Sequence, residues 1–147
     1  MASQVLSESR QVLLVDTFRG VPLASESDTR FRGGELSDAS ATDVEALARR
    51  LDLTNVTVLQ GKFPDEVELP NEIEVLSLVH IDVDIFESAR SAFEAIRGRL
   101  IPGSVVVFDD YGFFGCEGVT RSVNSLAVGK EFNFTYNLNG NAVLTKI

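Results

Sequence analysis

Short apolar runs alternate along this chain with segments at helical period, and that alternation restricts it to a sheet whose strands are joined by helical crossovers. Gln11–Val15 (QVLLV), Val56–Leu59 (VTVL), Glu74–Ile81 and Ser104–Phe108 (SVVVF) read as buried strands. Val44, Leu47, Ala48 and Leu51 follow the capping box Thr42-Asp-Val-Glu45, which predicts a helix from about 43 to 51. Ala89, Ala92, Phe93, Ile96 and Leu100 mark a second helix, and Val119, Val123, Leu126 and Ala127 a third. The tail FNFTYNLNGNAVLTKI alternates on both sides of Asn139-Gly140, a strong hairpin signal. Residues 17–41 show no periodicity and read as a long loop of the kind that serves as a lid or binding segment, or else is disordered. The expected fold is α/β: a single domain over 1–147 with a mainly parallel sheet and a C-terminal antiparallel hairpin.

Charge narrows the function classes. The chain has 22 acidic against 13 basic residues, a formal charge of −9, which repels phosphate backbones and anionic membranes. Nucleic acid and membrane are therefore not expected partners. Cys116 is the only cysteine, so an intrachain disulfide is impossible and a reducing compartment is expected. MASQVLSESR lacks the basic start and apolar segment of a signal peptide, and no apolar stretch reaches the ~20 residues that span a bilayer. The chain reads as soluble and cytoplasmic.

Against this background the acidic pairs stand out. HIDVDIF (80–86) places Asp82 and Asp84 where one apolar run stops, and FDDY (108–111) places Asp109 and Asp110 at the end of the next. With a normal crossover these strands are parallel and end on the same sheet edge, where open α/β sheets bind ligands. Carboxylates converging there repel, and Mg²⁺, which takes oxygen ligands, would relieve the repulsion. A carboxylate left off the metal could take a substrate proton. The alternation of His80, Asp82 and Asp84 with Ile81, Val83 and Ile85 also suits a half-exposed strand, and DDY also suits a turn. His80 has no second histidine to pair with and reads as a packed or hydrogen-bonded strand residue. Cys116 reads as an inert thiol. Tyr111 fits either a substrate contact or the core, and Asp16 either a ribose-binding carboxylate or a loop cap.

Five segments together resemble the macrocin O-methyltransferases of the TylF type: VDTFRGVP (15–22), VLQGKFPD (58–65), HIDVDIFES (80–88), LIPGSVVVFDDYGFFGC (100–116) and GVTRSV (118–123). The resemblance runs from about Val12 to Leu126 in consistent order and spacing. It implies a Rossmann-like methyltransferase sheet and transfer of a methyl group from S-adenosylmethionine to a sugar or glycoside hydroxyl, with Mg²⁺. It makes Asp82, Asp109 and Asp110 the metal ligands and Asp84 the general base. Asp16 becomes the acidic residue near the adenosine ribose, and Gly61 and Phe63 fall near the adenine. Only ten residues, none of them glycine, precede Gln11, so the family's first βα unit and its glycine-rich loop are expected to be absent. The sheet would then close the gap, borrow a strand from another subunit in a homo-oligomer, or rearrange. The alternative function is a catalytically inactive, methyltransferase-like protein that binds metal or ligand, or one that serves oligomeric interaction.

Overall fold

The structure, a computed structural model, describes residues 10–26, 28–126 and 130–147. Residues 1–9, which carry the glycine-free start, and Ala127 lie outside the described residues. The chain divides into two compact units, Met1–Gly20 with Leu36–Glu68, and Val21–Glu35 with Leu69–Ile147.

The first unit holds strand β1 (Val12–Asp16), helix α1 (Ala41–Arg50) and strand β2 (Val56–Gln60). The two strands pair in parallel from Val12↔Val56 to Asp16↔Gln60, and the Gly61 N–H donates to the Asp16 carbonyl just past the ladder. Helix α1 starts earlier than expected. Ser40, not Thr42, is its N-cap, accepting from the Asp43 N–H at 3.2 Å. Ser-Ala-Thr-Asp supplies the same spacing two residues upstream, and the first cap that can be made lengthens the helix. None of the unit's described hydrophobic side chains is fully buried, and Leu14 and Leu47 are exposed. Two strands and one helix enclose little volume.

The second unit holds strand β3 (Leu78–Ile81), helix α2 (Phe86–Arg97), strand β4 (Val105–Phe108), helix α3 (Glu117–Leu126) and strands β5 (Phe132–Tyr136) and β6 (Ala142–Lys146). Its sheet order is β3-β4-β6-β5, with β3 and β4 parallel and both β6 pairings antiparallel. Phe93 from α2 packs on Phe108 at 5.8 Å and on Phe132 at 5.6 Å between ring centroids. Val106, Leu144, Val119 and Val123 complete this core. The fold is α/β, with parallel pairing in both sheets and a C-terminal antiparallel hairpin, as expected.

Two expectations change here. The third strand is four residues long rather than eight: Leu76 donates its N–H to the Arg99 carbonyl, and Arg99 Nη1 donates to the carbonyls of Pro70 and Ile73. This ties the preceding segment to the end of α2 instead of to a ladder. The hairpin loop spans residues 137–141 rather than a two-residue turn, since Tyr136 pairs with Ala142. Asn137 Oδ1 accepts the N–H groups of both Asn139 and Asn141, which favours the wider loop.

Part of the long loop is also built into this unit. Val21 and Phe31 are buried, and the buried Asp28 accepts the Phe86 N–H at 2.9 Å across 58 residues of sequence. Helix α2 has no side-chain cap from its own N-cap residue, Ile85, so Asp28 serves an otherwise unsatisfied donor. Gly118 makes room for it: a Cβ there would strike the Asp28 carboxylate and the Phe86 nitrogen.

Candidate active site

The β3–β4 ladder sets the site. Its last pair is Ile81↔Phe108, and the Asp109 N–H donates to the Ile81 carbonyl at 2.9 Å, so both acidic pairs emerge at one level of one edge. Asp84 does not extend the strand beside Asp82, as the alternation suggested. It sits at φ +61°, and Asp110 at +59°. The left-handed region is sparsely used outside glycine, although Asp tolerates it better than most residues, and such conformations concentrate at functional sites.

The two turns bring Asp84 and Asp110 together. Their carboxylate oxygens and the Cys116 sulfur lie within 4.8 Å of one another, the one such group of acidic, histidine or cysteine side chains among the described residues. Burial, then the charges of Asp110 and Asp82, push Asp84 up from 3.8 to about 6, and a hydrogen bond to Asp110 adds to this, while Arg30 opposes it. Burial first, then Asp110 and Asp84, push the Cys116 thiol up to about 12. It stays protonated at neutral pH, in keeping with an inert thiol.

Asp82 and Asp109 lie outside that triplet. Asp82 is exposed and acts on Asp84 by charge. Asp109 Oδ1 accepts from the Asp110 N–H at 2.9 Å and from Asn141 Nδ2 at 2.6 Å, and Oδ2 lies 3.8 Å from His80 Nε2. His80 is half exposed rather than packed, and that separation is too long for a hydrogen bond. Tyr111 is held structurally: its hydroxyl donates to Asn124 at 2.7 Å and its ring meets Phe134 and Tyr136 edge-on.

In the first unit, Asp16 is exposed at the end of β1, with Oδ1 accepting the Phe18 N–H at 2.7 Å. Gly61 is buried at φ +152°, where a Cβ would overlap the Val67 side chain, so local packing alone demands glycine. Phe63 is half-buried.

Sequence reasoning passed over Asp28, Arg30 and Asn141. The nearest signals were the polar, serine-containing stretch 24–29 and the asparagine cluster 137–141, each of which reads locally as loop or turn.

Residues 2–129 match the family described as Macrocin-O-methyltransferase (TylF). The chain belongs to the TylF macrocin O-methyltransferase family. A Streptomyces olivaceus relative, 8-demethyl-8-(2,3-dimethoxy-alpha-L-rhamnosyl)-tetracenomycin-C 4'-O-methyltransferase, is 30% identical over 118 residues, covering 74% of this chain and 44% of the relative. The O-methyltransferase NovP superposes with a TM-score of 0.82 at 20% identity, over 95% of this chain and 61% of NovP. The calicheamicin methyltransferase CalS11 does so at 0.77 and 18% identity, over 92% and 60%. The fold of this TylF-family chain is thus the Rossmann-like methyltransferase fold, and the chain spans 44% of the Streptomyces olivaceus relative, 61% of the NovP chain and 60% of the CalS11 chain.

A hard divalent cation suits the acidic edge. Oxygen donors crowd there at a cost visible in Asp84, and a cation would offset that cost. The protonated Cys116 thiol is a poor ligand for Mg²⁺. No described helix is long and apolar enough to cross a membrane.

Proposed function

We propose that this TylF-family chain serves an S-adenosylmethionine-dependent, Mg²⁺-assisted O-methyl transfer to a hydroxyl of a sugar or glycoside. One observation carries the reading: Asp84 and Asp110 meet at the ends of adjacent parallel strands, where burial, followed by the charges of Asp110 and Asp82, pushes Asp84 up to about 6. When bound, Mg²⁺ supplies charge that makes a sugar hydroxyl more acidic, and S-adenosylmethionine supplies the methyl group.

The chain's own residues have the following parts. Asp82, Asp109 and Asp110 hold the cation. Asp84, hydrogen-bonded to Asp110 and left off the cation, accepts the hydroxyl proton on a carboxylate oxygen. Arg30, on the segment anchored by Asp28, moderates the negative charge around Asp84. In the first unit, Asp16 holds the ribose hydroxyls of the cofactor, with Gly61 and Phe63 near the adenine.

The experiment is methyl transfer from labelled S-adenosylmethionine to a panel of rhamnosides and other glycosides, with Mg²⁺ or EDTA. The reading predicts Mg²⁺-dependent transfer that Asp84→Asn abolishes. Transfer that survives in Asp84→Asn would overturn the role of the base.

A homo-oligomer is part of the proposal. Among the described residues β3 pairs with β4 alone, and Leu78 on it is 59% exposed. An open edge of this kind favours pairing with a second chain. Light scattering should give at least a dimer, and a monomer at high micromolar concentration would contradict it.

A further inference from the structure

Asp109 engages its two oxygens differently, and the neighbour of Oδ2 is His80 Nε2 at 3.8 Å, beyond a hydrogen bond's reach. Oδ1 accepts two hydrogen bonds, from the Asp110 N–H at 2.9 Å and from Asn141 Nδ2 at 2.6 Å. Asn141 itself is constrained to this role. Its Oδ1 accepts from Asn137 Nδ2 at 2.8 Å, which fixes the amide orientation so that Nδ2, the donor, faces the carboxylate. Asn137 is fixed in turn, because its Oδ1 takes the N–H groups of Asn139 and Asn141. The loop backbone adds a further tie to the acidic edge, with the Tyr111 N–H donating to the Gly140 carbonyl at 2.7 Å. The β5–β6 loop is therefore a relay of side-chain amides that ends on a carboxylate 32 residues away in sequence.

We infer that Asn141 is a positioning residue for the cation site, holding Asp109 through Oδ1 so that Oδ2 alone is presented to a divalent ion. The inference rests on the metal-binding reading of the acidic edge given above. Hydrogen bonds to a ligating carboxylate fix its orientation, and their loss typically weakens metal binding by ~10–100-fold. Asn137 acts one step further out, by preventing the Asn141 amide from turning its oxygen toward Asp109, where two oxygens would repel.

The test is Mn²⁺ binding to the full chain, followed by the loss of the free-ion electron paramagnetic signal, together with melting temperatures in EDTA. The wild type comes first: absence of Mn²⁺ binding overturns the metal reading itself, and this inference with it. With binding established, Asn141→Leu, close in volume but unable to donate, should lose ~10–100-fold in affinity. Its EDTA melting temperature should stay close to the wild type, since both lost side-chain hydrogen bonds lie at a half-exposed loop. Asn133→Leu, an exposed change on the neighbouring strand, should leave affinity unchanged. Equal affinity in wild type and Asn141→Leu overturns the inference while leaving the metal reading intact. Should Asn141→Leu fail to fold, Asn137→Ala is decisive: a several-fold loss in affinity supports the relay, and an unchanged affinity overturns it.

Discussion

Replacing Asp84 by Asn should make the metal-free protein more stable. In the folded chain, burial and the charges of Asp110 and Asp82 raise Asp84 from 3.8 to about 6, so the folded state binds that proton more tightly than the unfolded chain does. Stability from this group is therefore fully present below about pH 4 and is lost as pH rises toward 6, leaving a standing cost at neutral pH. A shift of that size corresponds to a ceiling of ~3 kcal/mol. Because Asp84 is only half-buried, solvent screening reduces the usable part to ~1–1.5 kcal/mol. Asn removes the charge and keeps an N–H donor for Asp110. For a chain of this length the gain is roughly 2–6 °C in Tm. Thermal melts of wild type and Asp84→Asn in EDTA should separate by that amount at pH 7.5 and converge near pH 4. Saturating Mg²⁺ should narrow the gap at pH 7.5 by stabilising the wild type. An Asp84→Asn variant that melts at or below the wild type at pH 7.5 in EDTA would refute the idea that the acidic cluster is held together at a cost.

Other substitutions probe the scaffold. Asp28→Ala leaves the Phe86 N–H without its acceptor, and should cost ~1–3 kcal/mol by denaturant titration; an unchanged midpoint would mean that water replaces the carboxylate at no cost. Gly61→Ala forces a Cβ into the Val67 side chain at a left-handed φ, at a cost of ~1–3 kcal/mol, and faster amide exchange in β1 and β2 should accompany it, whereas wild-type exchange rates would contradict the clash. Phe93→Ala removes the ring shared by Phe108 and Phe132 and should cost ~3–5 kcal/mol, with a loss below 2 kcal/mol indicating a core that collapses around the gap.

The acidic edge was legible because it depends on regular geometry. Two strands joined by one helix are parallel, so carboxylates at both ends arrive together, as the Ile81↔Phe108 register confirms. What local pattern did not contain were the left-handed turns at Asp84 and Asp110. These depart from the strand alternation that Asp82 and Asp84 suggest, and they decide which carboxylates touch. Asp28 and Asn141 were invisible for a different reason. Their partners lie 58 and 32 residues away, and a serine- or asparagine-rich segment looks like a turn whatever its side chains reach. The errors in element ends have local causes: Ser40 competed with Thr42 for the same capping role, Arg99 drew residues before β3 out of the ladder, and the Asn137 side chain widened the hairpin. Fold class survives such slips because it rests on the order of elements rather than on their limits.

The most direct test of the methyltransferase reading is calorimetric titration of S-adenosylhomocysteine into the purified chain, with and without Mg²⁺. The account predicts micromolar binding of the demethylated cofactor together with separate, saturable binding of Mg²⁺ that is weakened in Asp110→Asn. Absence of heat from both ligands at high protein concentration would contradict it.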